Sequence, residues 1–336
     1  MPLFYALLSG KYPCLSRSEF ISLLEFYEGN IVLELTNTTI FEVEDETDAI
    51  NIQVRSSTIK EVGRVIGIIP SKGEPLFFKY CPNGKIYIKP HRIQGFLKSL
   101  DGNALVSIAL SFIKKNCIES RKEDKKTVRV IAADGVLIIG ELLSDRGKGD
   151  IISQNPHNLP FYKPGALNFW FARLLVNLSI SKEGRVFYDP FCGTGSLPLS
   201  ALNDWEFISI CSDIRKDMCY GAKRNLKTLS KVNEFEIIRA DARHLPIRER
   251  SIGFVATDPP YGRSIKSLFS DSTNLSQDSL KELANILDFG GKIVFSLDRN
   301  IAEKLIIPEG LKIKSRCPMY VHNRLTRIIM VMQKVE

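Results

Sequence analysis

The stretch Asp189-Pro190-Phe191-Cys192-Gly193-Thr194-Gly195-Ser196 decides the fold reading. A short strand is expected just before it, over Arg185–Asp189, and a helix just after it, over Ser196–Leu202. Two glycines at the joint let the backbone approach a ligand with no Cβ in the way. Working outward, the same rhythm repeats. Strand Phe207–Ser212 ends in Asp213 and is followed by helix Lys216–Leu229. Strand Phe235–Arg239 ends near Asp241, and strand Ile252–Thr257 ends in Asp258. Helix Ser276–Leu287 and strand Lys292–Leu297 come next, with a hairpin expected from Leu311–Arg316 and Thr326–Met332. A helix over Leu167–Ile180 leads into the series. Strands alternating with helices predict an α/β fold with a mostly parallel sheet. Ligands of such sheets sit beyond the carboxyl ends of the strands, where Asp189, Asp213, Asp241 and Asp258 all fall.

The turn's chemistry narrows the ligand. Asp213 stands 24 residues after Asp189, at the end of the next strand, where a carboxylate can accept both ribose hydroxyls of a nucleoside. A dinucleotide would want a third glycine to seat its pyrophosphate, and Gly193-Thr194-Gly195-Ser196-Leu197-Pro198 lacks it. No Gly-Lys-Ser/Thr run offers itself to a triphosphate. A nucleoside without phosphates fits better, and S-adenosylmethionine is the cofactor expected. Phe191, Gly193, Gly195, Asp213 and Ile214 would surround it. Asp189 would orient its ammonium end, and Asp241 with Ala242 would meet the adenine edge. Taken alone, the same glycines could make an ordinary tight turn.

Thr257-Asp258-Pro259-Pro260-Tyr261-Gly262 is the second motif. Two prolines fix an extended loop and remove two N–H donors. Acceptors remain: the Asp258 carboxylate and the carbonyls of Asp258 and Pro259. Such a set suits an exocyclic amino group, whose lone pair is delocalised into its ring until hydrogen bonds localise it. The acceptors would stabilise positive charge as a methyl group arrives, with Asp258 as proton acceptor and Tyr261 stacking on the base. Cys192 is expected to pack rather than react, because a nitrogen that attacks directly needs no thiolate.

The 336 residues predict two or three domains. A charged share of 25% is ordinary for a globular chain and excludes wholesale disorder. No apolar run approaches the roughly 18 residues that cross a bilayer. The first eight residues read as a strand rather than a secretion signal. Seven cysteines without a Cys-x-x-Cys pair suggest neither a disulfide framework nor a zinc site, and a reducing cytoplasm is expected. His91, His157, His244 and His322 lack metal spacing, so no metal is expected.

Charge is uneven. Residues 1–59 carry 3 Lys/Arg against 9 Asp/Glu, and residues 60–126 carry 14 against 6, within a net +8. A basic stretch behind an acidic one is what a polyanion-binding region joined to another unit would show, and equally what a lysine-rich solvated surface would show. Strands are expected over Leu3–Ser9, Ile31–Leu35, Ala49–Val54 and Lys85–Lys89, with helices over Ser18–Tyr27 and Asn103–Lys115. Val128–Ala132 and Val136–Leu143 should pair through a turn at Asp134-Gly135. Residues 144–164, punctuated by Gly and Pro, read as a linker.

Asp189–Ser196 and Asp258–Gly262 resemble motifs I and IV of amino-group methyltransferases with the Rossmann-like methyltransferase fold. Val136–Leu143 and Lys163–Leu178 resemble the end of a THUMP domain and its junction to a catalytic domain. The whole chain resembles the archaeal-type THUMP-domain tRNA (guanine-10-N2)-methyltransferases. That resemblance implies a ferredoxin-like α+β domain at 1–75, a THUMP-like RNA-binding domain at 76–145, a linker at 146–164 and a methyltransferase domain at 165–336. It implies methyl transfer to a tRNA guanosine N2 with tRNA as partner, and no membrane or obligate protein partner. Methylation at tRNA position 6 and a DNA amino-methyltransferase are the alternatives. One departure stands out: the family's linker is rich in Arg, whereas this one reads Gln154-Asn155-Pro156-His157-Asn158-Leu159-Pro160.

Overall fold

In a computed structural model, the structure describes residues 1–93, 100–117, 122, 124–146, 156–181, 186–260, 272–323 and 325–335. The chain forms two compact units, Met1–Phe20 with Tyr27–Gly147, and Ile21–Phe26 with Lys148–Glu336.

The first unit runs β1 (Leu3–Leu8), the start of α1 (Pro13–Phe26), β2 (Asn30–Leu35), β3 (Thr38–Glu42), α2 (Glu46–Arg55), β4 (Ile59–Pro70), β5 (Leu76–Phe77), β6 (Lys85–Arg92), α3 (Gly102–Asn116), β7 (Lys125–Ala133) and β8 (Val136–Asp145). Its sheet has the order β2-β3-β1-β4-β8-β7-β6, with β5 on β4. β4 pairs with β8, so strands from both sides of residue 75 share one sheet. All pairings are antiparallel except β6 with β7. The β7–β8 turn has Asp134 at φ 46° and Gly135 at φ 78°, the conformation that matches strand twist in a two-residue hairpin.

Two expectations for this unit are corrected. Ala49–Val54 is helical, within α2. The Asp45 carboxylate accepts from Asp48 N at 3.0 Å and caps the helix, and Ala49, Ile52 and Gln53 are buried at helical spacing. The chain also forms a disulfide, Cys81 to Cys117, 36 residues apart. The turn before β6 and the end of α3 bring the two thiols together, a closeness that no local spacing encodes.

The second unit contains α4 (Phe169–Ser179), β9 (Val186–Asp189), α5 (Ser196–Trp205), β10 (Ile208–Asp213), α6 (Lys216–Leu229), β11 (Phe235–Arg239), β12 (Ile252–Thr257), α7 (Ser272–Ile286), β13 (Leu287–Asp298), α8 (Arg299–Lys304), β14 (Leu311–His322) and β15 (Leu325–Lys334). The sheet order is β11-β10-β9-β12-β13-β15-β14. The first five strands are parallel, and β15 runs antiparallel to both its neighbours. β12 is buried along its whole length, and its near-continuous apolar run is what a strand covered on both faces requires. The order turns back at β9, where β10 lies on one side and β12 on the other. That reversal opens a crevice at their carboxyl ends.

Among the described residues no helix is long and apolar enough to cross a membrane.

Candidate active site

Motif I sits at the reversal. β9 ends in Asp189, which is 1% exposed. Its Oδ1 accepts from Phe191 N at 3.0 Å and from Thr257 Oγ1 at 2.8 Å, which ties the end of β9 to the end of β12. Burial pushes the Asp189 carboxyl up to about 7, against the opposing pull of these two donors.

The glycines have separate tasks. Gly193 has φ +50°, and a Cβ there would meet nothing nearer than Phe191 O at 4.0 Å. Bare backbone therefore faces open space. Gly195, at φ +84°, opens α5 instead of lining the cavity. A Cβ on it would lie 3.4 Å from Ala222 Cβ, so its bareness lets α5 and α6 approach. Cys192 is 5% exposed and packs with Leu199, Leu202, Cys211, Ala222 and Leu226.

Asp213 ends β10. Gly193 N donates to its Oδ2 at 3.0 Å and Arg215 N to its Oδ1 at 2.9 Å. Each oxygen keeps a lone pair, so the carboxylate is oriented by the chain and still able to accept. Burial raises its pKa, and the backbone donors act against that rise. Asp241 differs. Its carboxylate is committed to Arg243, with Nη2 at 2.7 Å from Oδ2, and that pairing lowers its pKa.

Asp258 follows the end of β12. Ser296 Oγ donates to its Oδ1 at 2.6 Å, and Arg327 Nη2 donates to its Oδ2 at 3.2 Å. Burial raises its pKa, while the Arg327 charge and then the Ser296 hydroxyl pull it down. Arg327 is itself seated over the Phe171 ring of α4, 4.9 Å from the centroid.

A cavity of about 370 Å³ joins these groups. Phe191, Gly193, Asp213, Ile214, Asp241, Ala242, Asp258, Pro259 and Pro260 line it, with Met218, Leu275 and Arg327. A smaller space of about 130 Å³ continues inward to Asp189, between Asp258 and the segment Lys163–Leu167. Thus the expected residues converge, apart from Gly195, which packs, and Tyr261, which lies outside the described residues. Among the described residues no group of three His, Cys, Asp or Glu is placed to hold a metal.

Sequence reading missed Arg327 and Ser296, which lie 69 and 38 residues from Asp258 with no shared motif. It also ended the linker at Pro164, yet Pro164 together with Gly165, Ala166 and Leu167 forms a cavity wall. Buried Asn225 of α6 holds that segment. Its Nδ2 donates to the carbonyls of Phe161 and Thr194, both at 2.9 Å, and its Oδ1 accepts from Phe161 N at 2.8 Å. No local pattern marks it, because a lone Asn on a helix is unremarkable until its three partners are seen.

The chain is similar to known methyltransferases. A tRNA (guanine(10)-N2)-dimethyltransferase of Methanothermobacter thermautotrophicus is 32% identical over 209 residues, covering 62% of this chain and 61% of that protein. Its namesake in Methanocaldococcus jannaschii is 28% identical over 214 residues, covering 62% and 58%. The chain thus matches about three fifths of the length of these curated relatives. The crystal structure of TrmN from Thermus thermophilus superposes with a TM-score of 0.53 at 17% identity, covering 99% of this chain and 100% of that one, and shares the fold. The family described as RMKL-like, methyltransferase domain, matches residues 156–328. That span holds the glycine turn, all four strand-end acids and Arg327, and the chain belongs to this methyltransferase family.

Proposed function

We propose that the chain methylates the exocyclic N2 amino group of a guanosine in tRNA, at position 10, using S-adenosylmethionine. The product is N2-methylguanosine, with a second transfer to the dimethyl form. The observation that carries the reading is the Asp258 carboxylate, partly buried at the cleft and held by Ser296 and Arg327 beside Pro259 and Pro260. The tRNA guanine specificity is taken from the named activity of the two archaeal relatives. A tRNA substrate would place the enzyme in the cytoplasm.

The residues present fit the cofactor. Open space at the bare Gly193 backbone, an oriented Asp213 acceptor and apolar walls at Ile214, Met218 and Ala242 suit a nucleoside. When bound, S-adenosylmethionine supplies an activated methyl group. Asp213 would hold the ribose hydroxyls and Asp189 the ammonium end. Ala242 would meet the adenine edge. Asp241 would act there through its Arg243 pair.

Asp258 and the carbonyl of Pro259 would accept the two amino N–H groups of guanine and draw the nitrogen lone pair out of the ring. Acceptors held in place before the reaction stabilise the charge that develops on nitrogen. Asp258 would then take the proton that the methylated nitrogen loses. Its burial-raised pKa favours that step over an ordinary aspartate. We also read 1–75 as ferredoxin-like, 76–145 as THUMP-like, 146–164 as linker and 165–336 as the catalytic domain. The basic N-terminal stretch would grip the tRNA through its backbone.

The test is incubation of unmodified tRNA transcript with labelled S-adenosylmethionine, then nuclease digestion and nucleoside identification. Labelled N2-methylguanosine is expected. Asp258→Ala should cut transfer by about 10²-fold or more with cofactor affinity nearly intact. Asp213→Ala should instead weaken the cofactor several-fold, by calorimetry. A label on adenosine or cytidine would overturn the reading.

A further inference from the structure

Among the described residues, strand β14 is the outer edge of the second sheet and pairs with β15 alone. From Leu311 to Lys334 the hairpin carries Lys312, Lys314, Arg316, Arg324, Arg327 and Lys334, and no Asp or Glu. Along β14, Cys317 and Met319 are buried, while Lys312, Lys314, Arg316, Pro318 and Tyr320 are exposed. Lys312, Lys314 and Arg316 make no ion pair among the described residues. Tyr320 is 58% exposed, and its hydroxyl donates to Asn323 Oδ1, which orients the ring at the hairpin tip.

The strand leads to the cleft, and a register shift between Ile313 and Ser315 sets Lys312 and Arg316 on opposite faces of its outer edge. Register aligns Met319 with Arg327, and Arg327 with Asp298 at the carboxyl end of β13. Arg327 lines the cavity and bonds Asp258, so the strand reaches the level of the site at Met319. Residues 320–322 run about 10 Å further at the rise of an extended strand.

Charges on an edge strand also serve to block pairing with other sheets. That role accepts either sign and does not call for an exposed aromatic ring at the cleft end. A row of cations ending in an exposed ring is how single-stranded nucleic acid is held: cations track phosphates and the ring stacks a base. We infer that the outer edge of β14 is the track for the RNA strand flanking the target guanosine. Lys312, Lys314 and Arg316 contact its phosphates, and Tyr320 stacks an unpaired base beside the target. The inference rests on the guanosine-methylating reading and names where that substrate lies.

The experiment uses the full chain, the tRNA transcript and labelled S-adenosylmethionine. One variant combines Lys312→Gln, Lys314→Gln and Arg316→Gln. The others are Tyr320→Ala and Tyr320→Phe. The triple variant should keep cofactor affinity and kcat but raise the RNA KM about tenfold or more. The slope of log affinity against log salt should flatten by about 2, near 0.7 for each lost phosphate contact. Tyr320→Ala should lose about 5- to 100-fold in kcat/KM, and Tyr320→Phe should restore it, as stacking predicts. An unchanged RNA KM and salt slope in the triple variant, or full activity of Tyr320→Ala, overturns the track while wild-type methylation leaves the parent reading standing. A wild-type chain that methylates no guanosine overturns both.

Discussion

Asp189 offers the sharpest test of the cofactor reading, because its ionisation is poised where an experiment can move it. Burial places its carboxyl near 7, whereas an exposed aspartate titrates near 4. The proposed cofactor presents an ammonium group, which the ionised form attracts and the neutral form does not. At about pH 7 half of the carboxyls are ionised, and at about pH 5.5 roughly 3% are, so affinity should fall up to about 15-fold between them. Asp189→Asn keeps an oxygen for the Thr257 and Phe191 donors but removes the charge. Its affinity should be lower at pH 7 and nearly level with pH. Calorimetric titration of S-adenosylmethionine at several pH values reads both curves. Stability should move the opposite way. For an acid whose folded pKa is raised, the extra stability is complete below the unfolded pKa and is lost as pH rises through the folded one. At about pH 8 the ionised carboxyl would cost up to about 4 kcal/mol, which the Asn variant escapes. A wild-type affinity that does not change with pH, or an undiminished slope in Asp189→Asn, would refute the assignment.

Other expectations follow from single contacts. Arg327→Gln removes the cation that lowers the Asp258 pKa, so the acidic limb of methyl transfer should move to higher pH. A limb left in place in the kcat/KM profile would mean that Asp258 is not the titrating group. Gly221→Ala puts a Cβ 2.0 Å from Phe161 Cδ1, and such overpacking should cost about 1–3 kcal/mol in a denaturant titration. Asn225→Ala leaves two carbonyls and one N–H beside the cavity without their partner, so the melting temperature and the affinity for S-adenosylmethionine should fall together. Replacing Cys81 and Cys117 by Ala opens a loop that spans 36 residues. Chain entropy then predicts a loss of up to about 4 kcal/mol, and an unchanged melting temperature would contradict it.

How much of this was legible in the sequence depended on range. The second unit reads well because its signals are local. Each strand-turn-helix step is set by neighbouring residues, and the near-continuous apolar run of Ile252–Thr257 or the helical pattern of Lys216–Leu229 needs no distant partner. Asp189, Asp213 and Asp258 were found because a parallel sheet puts strand ends on one edge wherever the chain returns. Ala49–Val54 misled because its apolar residues suit either period over so short a run, and the Asp45 cap decided for helix. β4 was missed altogether, and only its pairing with β1 and β8 makes it a strand of one sheet. Arg327, Ser296 and Asn225 could not be read at all. Their roles come from side chains that meet across 69, 38 and 64 residues. The Cys81–Cys117 bond is of the same kind. Local residues thus determined the elements and the acids at their ends. Tertiary folding decided which distant partner orients each acid, because a hydrogen bond or ion pair depends on distance in space and not on separation along the chain.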